Sequence, residues 1–286
     1  KLKKLTLTKT MPSKIMKPAD FDVTSVKYSP VKTYTSGAKA VYMNINEGPI
    51  HLQVPELDIP FDSGTYYPSG DDDGFGKFAV KTSLKGYDSD AKIKEFHDKL
   101  LELDQKICDD AMKNSQSWFK KKSLTPETIE SLYTPMIKVS RDQETGEPNG
   151  KYPPGFTFKI NKRNGEVQCK CFTMDKTIMN TNDKDAEDYV DLEKVFKKGS
   201  KVKMLLYCNG IWIASGKFGC TWKAEQIRVN PPVGFDDYSI MDDSDEEETM
   251  EKIESNYVND SSSESDEEQE PVEKKKVVRK VKKSSN

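Results

Sequence analysis

The sequence predicts a mainly β chain with a helical insertion, α+β in class, followed by a disordered acidic tail. Three observations predict it. Alternating apolar runs flank the dipeptides Asn164-Gly165 and Asn209-Gly210, the strongest short hairpin signal, since both turn residues take positive φ. Between Ser89 and Met112 the apolar residues recur at helical spacing instead. Beyond residue 236 apolar content almost vanishes. From Asp237 to Glu273 sixteen acids stand against one lysine, and Lys274–Lys283 then carries seven bases and no acid.

Taken in order, residues 1–36 mix Pro, Ser, Thr and Lys with weak periodicity and read as a flexible arm, with Met11 the expected native start. Lys39–Ile45 and Ile50–Val54 alternate as strands about a turn at residues 46–49, and Phe78–Leu84 forms a third. Residues 55–76, rich in Pro, Gly and acids, make a loop long enough to be functional or mobile. Ile93, Phe96, Leu100, Leu103, Ile107 and Ala111 mark one face of a helix, and Thr125-Pro126 caps and opens a second. Together they form an insertion over residues 89–133 that covers one side or end of a sheet.

From Pro135 the order is strand, strand, strand, helix, strand, strand. These are Pro135–Arg141, the two runs about Asn164-Gly165, a helix over Ala186–Gly199, and the two runs about Asn209-Gly210, with a last strand over Cys220–Val229. That order matches an OB-like Greek-key barrel, a five-stranded fold with its helix between the third and fourth strands. The domain so defined spans residues 37–236, and the extra strand, the earlier strands and the helical insertion are elaborations on the five-stranded core.

Two-residue turns fix registers, and registers fix faces. About Asn209-Gly210, Cys208 is expected opposite Ile211 and Tyr207 opposite Trp212. Met204, Leu206, Cys208, Ile211 and Ile213 then enter the core, while Tyr207, Trp212 and Lys203 share the other face. That aromatic pair is either a stabilising cross-strand contact or a platform on which bases stack. About Asn164-Gly165, Phe158 and Ile160 are expected opposite Cys171 and Cys169 in the core, which excludes these cysteines as a metal site. Outside, Lys159 is expected directly opposite Lys170, and Thr157 opposite Phe172. Opposed lysines repel, and either splay into water or share an anion. Trp222 and Arg228 share one face of the last strand if no bulge intervenes. Lys194–Asn230 carries eight bases against one acid, Glu225, in the segment richest in aromatics. Bases interleaved with aromatics on a β-surface are the footprint of a protein that tracks a phosphate backbone.

Composition narrows the remaining classes. Residues 237–286 hold 16 acids and 8 bases, so of the chain's 48 acids and 45 bases residues 1–236 keep 32 and 37, a net +5. The body is mildly basic, and the acidity belongs to the tail. Five cysteines without framework spacing predict free thiols in a reducing, intracellular compartment. No run approaches the ~18 apolar residues of a membrane span, so no membrane partner is expected. No P-loop, GxGxxG or GxSxG occurs, and the two histidines, His51 and His97, are too few for zinc sites or histidine catalysis. No cofactor, metal or enzymatic activity is expected. Ser69, Asp71, Asp73 and Gly74 begin an EF-hand pattern, but its twelfth ligand falls on Val80, which cannot coordinate; Asp71–Asp73 read as an exposed acidic loop.

In the tail, Ser244, Ser263 and Ser265 lie among acids, where acidophilic kinases would add further negative charge. A tethered polyanion competes with nucleic acid for a basic groove, or recruits partners. The closing KKKVVRKVKK reads as a nuclear-localisation or backbone-contact element. The plain alternative for both is a solvating tail.

The stretch SKVKMLLYCNGIWIASGKFGCTWKAEQIRV, following KYPPGFTFKI and a hairpin, resembles the OB-fold single-stranded DNA-binding proteins of large nucleocytoplasmic DNA viruses over residues 130–235. The resemblance rests on element order and the G-I-W…G…W…Q-I-R-V pattern. It implies sequence-independent coating of single-stranded DNA, with RNA left open, in replication, recombination or repair, in the host cytoplasm (viral factory) or nucleus. Tyr207, Trp212, Trp222 and Phe172 would then stack bases, and Lys159, Lys170, Lys203 and Arg228 would neutralise phosphates. Replication or recombination proteins would dock on the acidic tail, and protomers would self-associate along the strand. The alternative is a structural or chaperone-like interaction protein acting through its acidic tail, with the aromatics merely packed.

Overall fold

The computed structural model describes residues 14–62, 65–68 and 76–232. Residues 1–13, the acidic loop Asp71–Asp73 and the tail with Ser244, Ser263 and Ser265 lie outside the described residues. The described chain is mostly β with a few helices. The strands that build its outer face are β1 (Lys32–Thr33), β2 (Lys39–Val41), β3 (His51–Gln53), β4 (Leu57–Asp58), β5 (Gly76–Ser83), β6 (Tyr133–Thr134), β7 (Gly155–Arg163) and β8 (Lys170–Phe172). Two long strands, β9 (Lys201–Ala214) and β10 (Lys217–Asn230), form its antiparallel backbone. Among the described residues, no helix is long and apolar enough to cross a membrane.

β9 pairs with β10 along its length and takes β4 at its start, Val202 opposite Leu57. β4 meets β5 at Asp58 and Ser83, β5 pairs with β7, and β7 touches β10 at Lys159 and Lys223. The path β9-β4-β5-β7-β10 therefore returns to β9 as a closed ring. Two of its strands precede the helices, which corrects the expectation of a barrel assembled from residue 135 onward. Pro135–Arg141 supplies only the short strand Ile137–Lys138, laid on β7. Period-two alternation turns one side of every strand inward. Val80, Phe158, Ile160, Leu206 and Trp222 are among the side chains buried there, each contributing about 1.5–3 kcal/mol.

The helices are α1 (Ala91–Lys113), α2 (Ser115–Phe119), α3 (Pro126–Leu132) and α4 (Leu192–Val195). Asp90 caps α1, accepting from the Lys92 and Ile93 amides at 2.8 and 3.1 Å, and the predicted apolar stripe is buried save for Ile93. Thr125 caps α3 with Pro126 in its first turn. Asp104 of α1 is buried and accepts hydrogen bonds from the Tyr133 hydroxyl and the Met136 amide, which ties the helix to β6. Burial pushes its carboxyl up to about 6, against those hydrogen bonds. The helix expected over Ala186–Gly199 shrinks to α4, because the Tyr189 amide closes a turn on the Ala186 carbonyl and Tyr189–Val190 then bridges to Asn180 instead of continuing a helix. Residues 14–36 are no loose arm. Phe21 and Val23 are each 1% exposed, and their two turns pack on α1.

The two Asn-Gly sites diverge. Asn164 and Gly165 take φ of 51° and 81° and turn the chain. At Asn209-Gly210 only Gly210 is left-handed, at 85°, and β9 runs on through a bulge; the chain reverses at Ser215-Gly216, φ 51° and 71°. Glycine is required at 210 because β2 crosses there, and a Cβ would lie 2.4 Å from the Val41 carbonyl oxygen. The expected Tyr207–Trp212 and Cys208–Ile211 pairs are therefore not formed. Tyr207 stands opposite Lys223, and Cys208 opposite Trp222.

Candidate nucleic-acid interface

Side chains not needed inside the ring emerge on its outer face in rows that cross several strands. One row runs His51, Tyr207, Lys223, Lys159, from β3 through β9 and β10 to β7. The next runs Gln53, Leu205, Gln226, Lys170, and a third Lys203, Arg228, Phe172, the last two rows ending on β8. A bulge between these rows makes them possible. Leu206 faces Ala224 and Leu205 faces Gln226, so Glu225 is an extra residue on β10. Trp222 and Ala224 then point inward, whereas Gln226 and Arg228 point outward.

Electrostatically, the face is strained toward an anion. Lys203 lies directly opposite Arg228, and Lys223 opposite Lys159, two like-charged pairs of the kind that oppose sheet formation. Lys223 is compensated within the protein: its ammonium is 3.4 Å from Glu225 and 4.4 Å from the centre of the Tyr207 ring. Glu225 also meets His51 Nε2 at 2.9 Å, and the His51 ring stands edge-on to Tyr207 at 5.2 Å. Burial, with Lys77 adding repulsion, pulls the Lys159 ammonium below its ordinary pKa. The Lys203–Arg228 pair differs, because Arg228 Nε is buried without a hydrogen-bond partner. An unsatisfied buried donor costs about 1–3 kcal/mol. Lys203, Arg228, Phe172 and Lys176 line a groove of about 370 Å³ floored by Leu205 and Gln226. Gln226 also borders a second depression of about 670 Å³, lined in part by Lys170.

Of the residues expected to bind, Tyr207, Phe172, Lys159, Lys203 and Arg228 lie partly exposed on this face, and Lys170 is exposed there. Trp212 lies farther along β9 on the same outward side, its ring 3.2 Å from where a Cβ on Gly219 would stand. Trp222 does not belong. It is 1% exposed, and its indole N–H points to Met136 Sδ at 3.0 Å, because the Glu225 bulge sets it opposite in face to Arg228. Lys159 and Lys170 are not cross-strand partners either. The Asn164-Gly165 hairpin pairs through Arg163 with Glu166 and Lys162 with Val167, and after the Gln168 amide bonds the Asn161 carbonyl β8 leaves β7 to pair with β10. Sequence reasoning missed Lys223, Lys176 and Gln226. Lys223 sat in the basic, aromatic segment, but its partner depends on the turn being at Ser215-Gly216. All five cysteines are free, Cys169 and Cys171 are buried, and no metal-binding cluster occurs among the described residues.

No protein-family model and no curated protein matches the chain. Solved structures similar to it include the single-stranded DNA-binding protein from bacteriophage Enc34, at TM-score 0.38 and 13% identity over 74% of this chain and 96% of that one. The same phage protein in complex with ssDNA gives TM-score 0.34 and 15% identity, over 73% and 96%. Gp2.5, a single-stranded DNA binding protein encoded by bacteriophage T7, gives 0.37 and 11%, over 67% and 98%. These are phage proteins, so an origin in large nucleocytoplasmic DNA viruses rests on the sequence pattern alone. Overlap this loose decides neither fold nor ligand, both of which rest on the sheet and its outer face.

Proposed function

We propose that the chain is an OB-like, non-enzymatic single-stranded DNA-binding protein that holds its ligand on the outer face of the β9–β10 ribbon. The observation that carries this is the groove around Lys203 and Arg228. Two opposed cations sit beside an aromatic ring, Phe172, on an open groove, and a phosphodiester supplies the counter-charge they lack. Its negative oxygens relieve the repulsion and accept from Arg228, while the attached base has Phe172 or Tyr207 to stack on, at about 1–3 kcal/mol per base. A duplex keeps its bases stacked on one another and has no use for those rings. The closed five-strand ring supports the OB-like assignment, since OB-folds bind strands on an outer sheet face. Sequence-independent coating of this kind suits replication, recombination or repair, with partner proteins recruited by the acidic tail and copies aligned along the strand.

The test is a salt series of titrations with oligo-dT and a duplex of equal length. The single strand binds more tightly, and log Kobs falls with log salt by about 0.7 per phosphate contacted. Replacing Lys203 and Arg228 by Gln reduces that slope by about 1.4. Equal affinity for the duplex, or an unchanged slope in the variant, contradicts the proposal.

A further inference from the structure

The outward face does not stop at Tyr207. Past the bulge, the Gly210 position presents no side chain, and its β10 partner is only Thr221. The next outward row runs Lys32, Ala40, Trp212, Gly219, Thr134, from β1 through β2, β9 and β10 to β6. Small neighbours on both sides leave the indole standing over Gly219. Tyr34 continues the same side of the hairpin, since its amide bonds the Ala38 carbonyl, two residues before Ala40. Its ring lies 5.2 Å from the Lys32 ammonium, its hydroxyl lies 3.1 Å from that of Tyr42, and the residue is 42% exposed. Beyond Trp212, then, a cation and two more rings share the outer face.

We infer that the β1–β2 hairpin, through Lys32, Tyr34 and Tyr42, is a second stacking station for the single strand, which runs lengthwise along the ribbon. This rests on the function proposed above. The chemistry repeats that of the first station: a planar ring for a base and an ammonium for the phosphate beside it. From the Lys203 row to the Trp212 row the ribbon covers roughly 25–30 Å at about 3.3 Å per residue. That is too far for a very short oligonucleotide to bridge and within reach of one at the upper end of OB-fold site sizes, about 4–16 nucleotides. The like-charged groove at Lys203 and Arg228 is the stronger anion site, so a short ligand stays there and only a long one reaches the hairpin.

Oligo-dT of about 3 and about 15 nucleotides separates the stations. In the full chain, Tyr34→Ala with Tyr42→Ala is expected to weaken the longer oligonucleotide roughly tenfold or more and the shorter less than about twofold. Lys32→Glu, an exposed substitution that reverses the charge beside Tyr34, is expected to show the same length dependence. Lys203→Gln with Arg228→Gln weakens both lengths. If that pair weakens both but the hairpin variants weaken neither, or weaken both lengths equally, the second station is overturned while the first stands. If neither set changes binding, the whole face is misassigned and the inference falls with it.

Discussion

Asn164-Gly165 and Asn209-Gly210 are one dipeptide in two surroundings. At the first, nothing lies within 4 Å of a Cβ placed on Gly165, both residues go left-handed and the chain reverses. At the second, β2 passes so close that only the glycine goes left-handed, and the strand continues to Ala214. The neighbouring strand, not the dipeptide, chooses between turn and bulge. The choice has consequences for function. A bulge at Asn209 and another at Glu225 place Trp212 outside and Trp222 inside, and they bring Arg228 to the surface opposite Lys203.

The largest effect that tests this contrast is on Trp222. Trp222→Ala is expected to cost about 3–5 kcal/mol of stability, as for a large aromatic removed from a packed core. Trp212→Ala, from the outer face, should cost far less in urea unfolding. Equal losses would mean that the two indoles are not sorted by the bulges. Next comes the pair of glycines. Gly210→Ala meets both a positive φ and the Val41 carbonyl, and is expected to lose about 3 kcal/mol or more, whereas Gly165→Ala meets only the positive φ and loses about 1–2. Similar unfolding midpoints for the two variants would break the comparison.

A smaller effect lies away from both dipeptides. Asp104 has an ordinary pKa of 3.8 and a folded pKa of about 6, raised by burial. The folded state therefore keeps this proton longer than the unfolded state, and the stability it contributes is present at low pH and lost as pH rises through about 6. Several exposed carboxylates shift the opposite way, so the informative quantity is wild type minus Asp104→Asn. That difference is expected to fall by about 1–3 kcal/mol between pH ~4 and ~7, with oligonucleotide affinity at a fixed pH unchanged. A flat difference would show that Asp104 is not desolvated.

Much of this was legible in the sequence. Apolar spacing marked α1 and its buried stripe, Thr125-Pro126 marked the start of α3, and the alternation of Phe156, Phe158 and Ile160 marked the inward side of β7. The basic, aromatic segment pointed to the right ribbon. What stayed hidden depends on contacts between distant residues. Gly210 reads as a turn until β2 is known to cross it, and Ser215-Gly216 is a weaker signal than Asn-Gly. One extra residue at Glu225 inverts the face of Trp222 relative to Arg228, and no local pattern announces it. Residues 14–36 look loose by composition because their few apolar side chains are spaced irregularly, yet Phe21 and Val23 find α1.

The central claim is that the ribbon's outer face stacks single-stranded bases. Of the three tryptophans, Trp118 and Trp222 are 2% and 1% exposed, which leaves Trp212 as the indole a base can reach. Titrating the chain with oligo-dT of about 15 nucleotides, long enough to span the ribbon from the Lys203 row to Trp212, while following tryptophan emission tests the claim directly. Quenching that saturates with DNA and disappears in Trp212→Phe is the predicted result. Quenching that survives that substitution, or binding with no change in emission, would contradict it.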